Sequence, residues 1–185
     1  ERIAERIDAN LLDVTMEDLH DMPHQLYDGK IKKLREKTQG QLIIKEYPTA
    51  SAHSGHFKSL INELALKKSF RPDVIFIDYL NICASSRFKG GNISSYFYVK
   101  AIAEELRGLA VESNVPIFSA TQTTRTGFVS TDIGLEDTSE SFGLPATADF
   151  MFALISNEEL EALGQMKIKQ LKNRYNDPSV NRAFI

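Results

Sequence analysis

The sequence contains no tryptophan and a single cysteine, Cys83. One thiol cannot form an internal disulfide, which fits a reducing compartment and equally a secreted protein that uses no bridges. Long apolar runs are missing as well. None approaches the roughly 20 residues of a membrane span, and the opening stretch from Glu1 to Asp13 is too charged for a secretory leader. The expectation is a cytoplasmic protein with no membrane contact. Positive charge is not in excess, since 22 Lys and Arg against 25 Asp and Glu leave a net charge of −3. A chain-wide basic field is thereby excluded, and any contact with nucleic acid has to be local. Internal repeats and low-complexity segments do not occur. His53 and His56 have no second pair of Cys or His to complete a four-ligand zinc site, so they read as loop histidines. The phosphate-cradling pattern G-x-x-x-x-G-K-[ST] is also absent. Gly29-Lys30 runs into Ile31, and no lysine follows Gly90-Gly91.

What is present is enough for one domain with a real core, because 185 residues are few for two large ones. A single domain over residues 1–185 is expected. Ile3, Ile7, Leu11 and Leu12 recur at helical spacing among charges. A helix already under way at Glu1, and a closing pair Phe184-Ile185 that reads as the opening of a strand, lead to the expectation that the sequence is a fragment of a longer polypeptide. A second, largely surface helix is expected from Asp28 to Lys37, and a short strand at Leu42 to Ile44. The segment from His56 to Lys68 places Phe57, Leu60, Ile61 and Leu64 on one helical face. Val74 to Ile77 is an uninterrupted apolar run expected of a central strand buried on both faces. Ser85 to Ser95 reads as a loop. A long helix follows, turning Ile102, Ala103, Leu106, Leu109 and Ala110 inward over its interior from Val99 to Val111. Val115 to Ala120 and Phe150 to Ile155 predict further strands, Asn157 to Leu163 a short helix, and Met166 to Tyr175 an edge or half-exposed strand. Strands joined by helices need crossover connections, so the class is α/β with a mostly parallel sheet flanked by helices.

Such sheets bind ligands beyond the carboxyl ends of their strands. That rule selects Asp78, directly after Val74 to Ile77, and Gln122, shortly after the next strand. An Asp closing an apolar strand is the Walker B arrangement, whose carboxylate helps hold the Mg²⁺ of a nucleoside triphosphate. The same pattern also describes an Asp that only caps a turn, and Gln122 also reads as a solvated loop amide.

Four segments, in order, resemble the DnaB class of hexameric replicative DNA helicases. Val74-Ile75-Phe76-Ile77-Asp78-Tyr79-Leu80 is similar to the I-D-Y-L Walker B segment of that family. Ser119-Ala120-Thr121-Gln122-Thr123-Thr124-Arg125 is similar to its S-x-S-Q-L-N-R segment. Asp137 to Gly143, followed by Ala148-Asp149-Phe150-Met151, resembles S-D-L-R-E-S-G…A-D-V-V, and Lys172-Asn173-Arg174-Tyr175-Asn176 resembles K-Q-R-N-G. Arg6 to Leu11 and Gly143 to Asp149 are especially similar to the members from T-even-like phages. The resemblance spans nearly the whole chain. It implies a RecA-like P-loop ATPase core, truncated at the N-terminal side, because the family's phosphate loop and catalytic glutamate lie upstream of the stretch matching Glu1 to Asn10. Glu1 and Glu5 are therefore not that glutamate.

The resemblance also implies roles. Asp78 would orient Mg²⁺ through water, and Gln122 would sense the γ-phosphate. Arg174 would be an arginine finger reaching the ATP of an adjacent subunit, with Lys172 beside it, since side chains two apart on a strand share a face. The loops Ser86 to Asn92 and Thr124 to Phe128 would meet single-stranded DNA in a central channel, with Arg87, Lys89 and Arg125 as contacts. Each loop combines a cation, an aromatic residue and glycine, which suits a nucleic-acid backbone. The implied cofactors are ATP and Mg²⁺, and the implied partners are single-stranded DNA, further copies in a homohexamer, a primase and a helicase loader. The expected activity is ATP-driven unwinding at the replication fork, with the 185 residues inactive alone. The same residues remain open to other readings. These are an edge strand guarded by Lys167, Lys169 and Lys172, ordinary polar loops, a RecA-type recombinase, and a non-catalytic loader or interaction module on the same fold.

Overall fold

The computed structural model describes residues 2–88, 93–124, 133–138, 143–177, 180 and 183–184. Their contacts divide into two compact units, residues 1–46 and 47–185.

The first unit is helical. It comprises α1 (Arg2–Leu12), α2 (Met16–Asp21) and α3 (His24–Lys37). The turn into α2 is set by a capping box in which the Thr15 hydroxyl accepts the Asp18 N–H at 3.0 Å and the Asp18 carboxylate accepts the Thr15 N–H at 3.3 Å. The Tyr27 hydroxyl donates to Asp8 at 2.8 Å and ties α3 to α1. None of the α3 residues is buried, in keeping with a surface helix. The strand expected at Leu42 to Ile44 does not form. Leu42 and Ile44 are exposed, and among the described residues no neighbouring edge pairs with their backbone. Side-chain propensity makes no strand without such a partner.

The second unit is α/β. In order it comprises α4 (Ser54–Lys68), β1 (Ile75–Ile77), a 3₁₀ turn (Leu80–Ile82), α5 (Ser95–Ser113) and β2 (Ile117–Ser119). After a second 3₁₀ turn (Leu135–Asp137) come α6 (Gly143–Thr147), β3 (Phe150–Ile155), α7 (Glu158–Ala162), β4 (Lys167–Asn173) and β5 (Ala183–Phe184). β1 and β2 pair in parallel with Ile75 opposite Ile117 and Ile77 opposite Ser119, and α5 is the crossover between them. The described pairs of the other sheet run antiparallel, in the order β3-β4-β5. β4, expected as an edge or half-exposed strand, has a neighbour on each side and is half-exposed.

The core forms on α5. Val99, Ile102, Ala103, Leu106 and Leu109 fall on one helical stripe and are buried. The first four pack with Leu80, Cys83 and Leu144, and Ile77 and Met151 press on the same cluster from β1 and β3. Burying a side chain such as Ile102 contributes about 2–3 kcal/mol. Gly143 opens α6 against α5 so closely that a Cβ there would meet Lys100 Cβ and Tyr96 Cζ at 3.1 Å. A smaller cluster joins Ile133, Ala153 and Ile155, with Leu171 against it.

β1 was expected to be buried on both faces, and one face is open. Phe76 is 72% exposed and Phe118 54%, and their rings stack at 5.3 Å. Phe152 and Leu154 of β3 are exposed in the same alternating way. A wholly apolar strand states that both faces tolerate burial; what covers them is decided by other elements. Among the described residues no helix is long and apolar enough to cross a membrane.

Candidate functional site

The parallel pair places its two carboxyl ends together. Ile77 lies opposite Ser119, the Ser119 hydroxyl donates to the Ile77 carbonyl at 2.8 Å, and the Leu80 N–H donates to the Ala120 carbonyl at 3.1 Å. The Thr121 hydroxyl donates to Asn81 Oδ1 at 2.8 Å, closing the two loops on each other. Asp78 and Gln122 emerge on this shared end, both exposed. Among the described residues the Asp78 carboxylate has no hydrogen-bond or ion-pair partner. It caps nothing: the following 3₁₀ turn has Tyr79 at its N-cap with no side-chain cap. The turn-capping alternative therefore has no bond to support it. An exposed carboxylate at a strand end is a suitable oxygen donor for Mg²⁺, which keeps most of its waters and takes one or two carboxylates plus phosphate oxygens.

Lys172 and Arg174 converge elsewhere. Lys172 Nζ donates to the Pro145 and Ala146 carbonyls, and Arg174 Nη2 donates to the Ala146 carbonyl at 2.9 Å. These are the unpaired terminal carbonyls of α6, which attract cations. Arg174 Nε also lies 2.7 Å from Asp149 Oδ1, and Arg107 Nη2 from α5 lies 3.0 Å from the same oxygen. Burial raises the Asp149 pKa, but the hydrogen bonds and charges of Arg107 and Arg174 outweigh it, and the net shift is downward. Burial also lowers the Lys172 pKa, helped by the Arg174 charge. A cleft of about 640 Å³ opens beside this cluster, lined by Arg87, Glu104, Arg107, Ala146, Thr147 and Arg174 among others. Asp149 and Arg107 were given no role from sequence. The Ala148-Asp149 dipeptide was visible in the string, but nothing there shows that its carboxylate meets two arginines from distant elements.

The loop after β1 is gripped at its root by one residue of α5. The Glu105 carboxylate accepts from the Ser85 hydroxyl at 2.6 Å, the Ser86 hydroxyl at 2.7 Å, the Ser86 N–H at 3.0 Å and the Ser54 hydroxyl at 3.0 Å. The Arg87 N–H reaches it at 3.3 Å, while the Arg87 guanidinium pairs with Glu104 at 2.6 Å. That pair is half exposed, so it is weak, about 0–1 kcal/mol. Lys89 and Arg125, the other candidate DNA contacts, lie outside the described residues. His53 and His56 cap α4: His53 Nδ1 accepts the Gly55 N–H at 3.0 Å and His56 Nδ1 accepts the His53 N–H at 3.2 Å.

Glu105 carries a pH prediction. Burial pushes its pKa up, and the bonds from Ser85, Ser86 and Ser54 overcome that and bring it from 4.5 to about 2. A carboxyl with a folded-state pKa below its unfolded value stabilises the fold above the unfolded value. The contribution fades as pH falls from 4.5 to about 2. At ~1.36 kcal/mol per unit the ceiling is near 3 kcal/mol, and solvent screening reduces the expectation to about 1 kcal/mol. Urea titrations across this window should show the acid loss in the native chain and a flatter profile in Glu105→Gln, already weaker at neutral pH. Parallel profiles for the two would refute the anchoring role.

The fold is the RecA-like fold of DnaB-type ATPase domains. Two solved structures match it: a DnaB-like replicative helicase studied with primase, at a TM-score of 0.73 and 18% identity over 94% of this chain and 42% of that one, and the ATPase domain of G40P, at 0.73 and 17% over 94% and 63%. In sequence the chain is a relative of the DnaB-like replicative helicase of Enterobacteria phage T4, 50% identical over 185 residues, 98% of this chain and 39% of that protein. A probable plasmid replicative DNA helicase of Chlamydia trachomatis is 34% identical over 129 residues, 67% of this chain and 26% of its own length. The chain thus spans about two fifths of the phage relative and about a quarter of the plasmid one. No protein-family model matches it.

Proposed function

We propose that the chain is the carboxy-terminal part of the ATP-driven motor of a hexameric replicative DNA helicase, which moves along single-stranded DNA and unwinds the duplex ahead. The observation that carries this reading is the Asp78 carboxylate, without a partner among the described residues, beside Gln122 at the carboxyl end of a parallel pair in a DnaB-type fold. Asp78 would hold Mg²⁺, which would supply positive charge against the phosphate oxygens. Gln122 senses the γ-phosphate. Arg174, with Lys172, serves the ATP of the adjacent subunit, which accounts for a cation cluster that shares no hydrogen bond with Asp78 among the described residues. Arg87, Lys89 and Arg125 contact the DNA strand. Primase and a helicase loader are partners of the assembled protein, which works in the cytoplasm, that of the host where a phage encodes it.

The test compares the full-length helicase bearing this sequence with the 185 residues alone. The full-length protein should form rings, hydrolyse ATP with stimulation by single-stranded DNA, and displace a strand. The 185 residues alone should do none of this, since they carry no G-x-x-x-x-G-K-[ST] loop. Open filaments from the full-length protein, or Mg²⁺-dependent hydrolysis by the 185 residues, would overturn the proposal.

A further inference from the structure

A trans-acting arginine has to be held in place before its phosphate arrives. Its long side chain loses much rotamer freedom when fixed, and a functional group has to sit within about 0.5 Å of its working position. Arg174 follows directly on β4, where the ladder ends. Its fork is nevertheless fixed: Nε lies 2.7 Å from Asp149 Oδ1, and Nη2 donates to the Ala146, Ala148 and Thr147 carbonyls at 2.9, 3.3 and 3.4 Å. The backbone repeats the connection, with the Arg174 N–H donating to the Asp149 carbonyl at 2.9 Å. These bonds commit one edge of the guanidinium and direct the other terminal nitrogen, Nη1, away from that edge.

Asp149 is shared. Arg107, on the rigid core helix α5, reaches the same Oδ1 at 3.0 Å. Two cations on one carboxylate leave a net positive charge, and Lys172 on the Pro145 and Ala146 carbonyls adds to it. If Arg107 were absent, movement of Arg174 toward a phosphate would strand a bare carboxylate. With Arg107 in place, Asp149 stays neutralised whichever way Arg174 leans.

We propose that Asp149 is the positioning residue of Arg174, and that Arg107 is the companion cation that lets Arg174 shift toward a phosphate without leaving Asp149 unpaired. This rests on the reading of Arg174 as the residue that serves the neighbouring subunit's ATP.

The experiment measures kcat and KM for ATP in the full-length ring at saturating single-stranded DNA. Asp149→Asn should lower kcat by about 10- to 100-fold, the scale of a misplaced catalytic group. KM should stay within about twofold, and Asp149→Glu should recover part of the loss. In an Arg174→Ala background Asp149→Asn should cost nothing further, because its target is gone. The failures separate. If Arg174→Ala leaves kcat unchanged, the reading of Arg174 falls, and this proposal with it. If Arg174→Ala collapses kcat while Asp149→Asn does not, the positioning role alone falls. Equal losses from Asp149→Asn in both backgrounds also overturn it. Should Asp149→Asn fail to assemble, Arg107→Gln carries the same test: a several-fold loss of kcat in the native background and none in Arg174→Ala, with equal losses in both overturning the proposal.

Discussion

Arg174→Ala in the assembled ring is expected to lower ATP turnover by about 10³-fold or more, with little change in KM, since an arginine supplied in trans contributes 10³ to 10⁵ to phosphoryl transfer. The scale follows from where such a group acts. Charge builds on the γ-phosphoryl oxygens as the bond breaks, and a fixed guanidinium is stronger there than in the ground state. The structural cost of the same change is small. The Arg174–Asp149 pair is 39% and 33% exposed on its two sides, so losing it removes roughly 0.2–1 kcal/mol. Rings should still form, and nucleotide should still bind. Lys172 is a different case. It lies deeper against the Pro145 and Ala146 carbonyls, and as a point charge without a fork it cannot hold two phosphate oxygens as an arginine does. Lys172→Ala is therefore expected to cost clearly less than Arg174→Ala. Turnover of Arg174→Ala within threefold of the native ring would remove the residue from the reaction.

The two ends of the site were not equally legible. Asp78 could be placed from a strand of four apolar residues and the rule that ligands gather at carboxyl ends, because both depend on contiguous sequence. Gln122 followed from the next strand by the same rule. The convergence of Lys172 and Arg174 was legible only as a shared face. Their anchors at Ala146 and Asp149 come from a five-residue helix and a strand start more than 20 residues upstream, and no local period encodes that meeting. Glu105 looked like one more solvent-facing charge on α5. Its value arises because Ser54, Ser85 and Ser86, from two other segments, all point at it. Helices were read closely wherever an apolar stripe existed, as in α5, whereas α2 escaped notice. Its signal was Thr15 followed three residues on by Asp18, a capping pattern that needs no hydrophobic face. The strands of the second sheet were found, but their direction was not. Alternation gives the face of a strand and is silent on whether its neighbour runs with it or against it.

Asp78→Asn should abolish most of the Mg²⁺-dependent turnover while leaving the fold intact, and that combination separates the two readings of this residue. Asn keeps the shape of the side chain and removes its charge. Since Asp78 is exposed and has no partner among the described residues, no structural bond is lost and the melting temperature should not move. A carboxylate that orients the metal's water shell is another matter. Removing one preorganised electrostatic group from a reacting centre costs about 10²- to 10³-fold in kcat. A weakened hold on Mg²⁺ also shifts the metal titration to higher concentration, by about 10- to 100-fold if the loss resembles that of other supporting ligands. Raising Mg²⁺ should then recover binding more than turnover, because a metal held by phosphate alone is present without being oriented. An Asp that served a turn would give the reverse pattern, with lower stability and turnover near native. Measuring melting temperature, kcat and the Mg²⁺ midpoint on one Asp78→Asn preparation distinguishes these outcomes, and unchanged kcat with a lowered melting temperature would return Asp78 to the role of a turn residue.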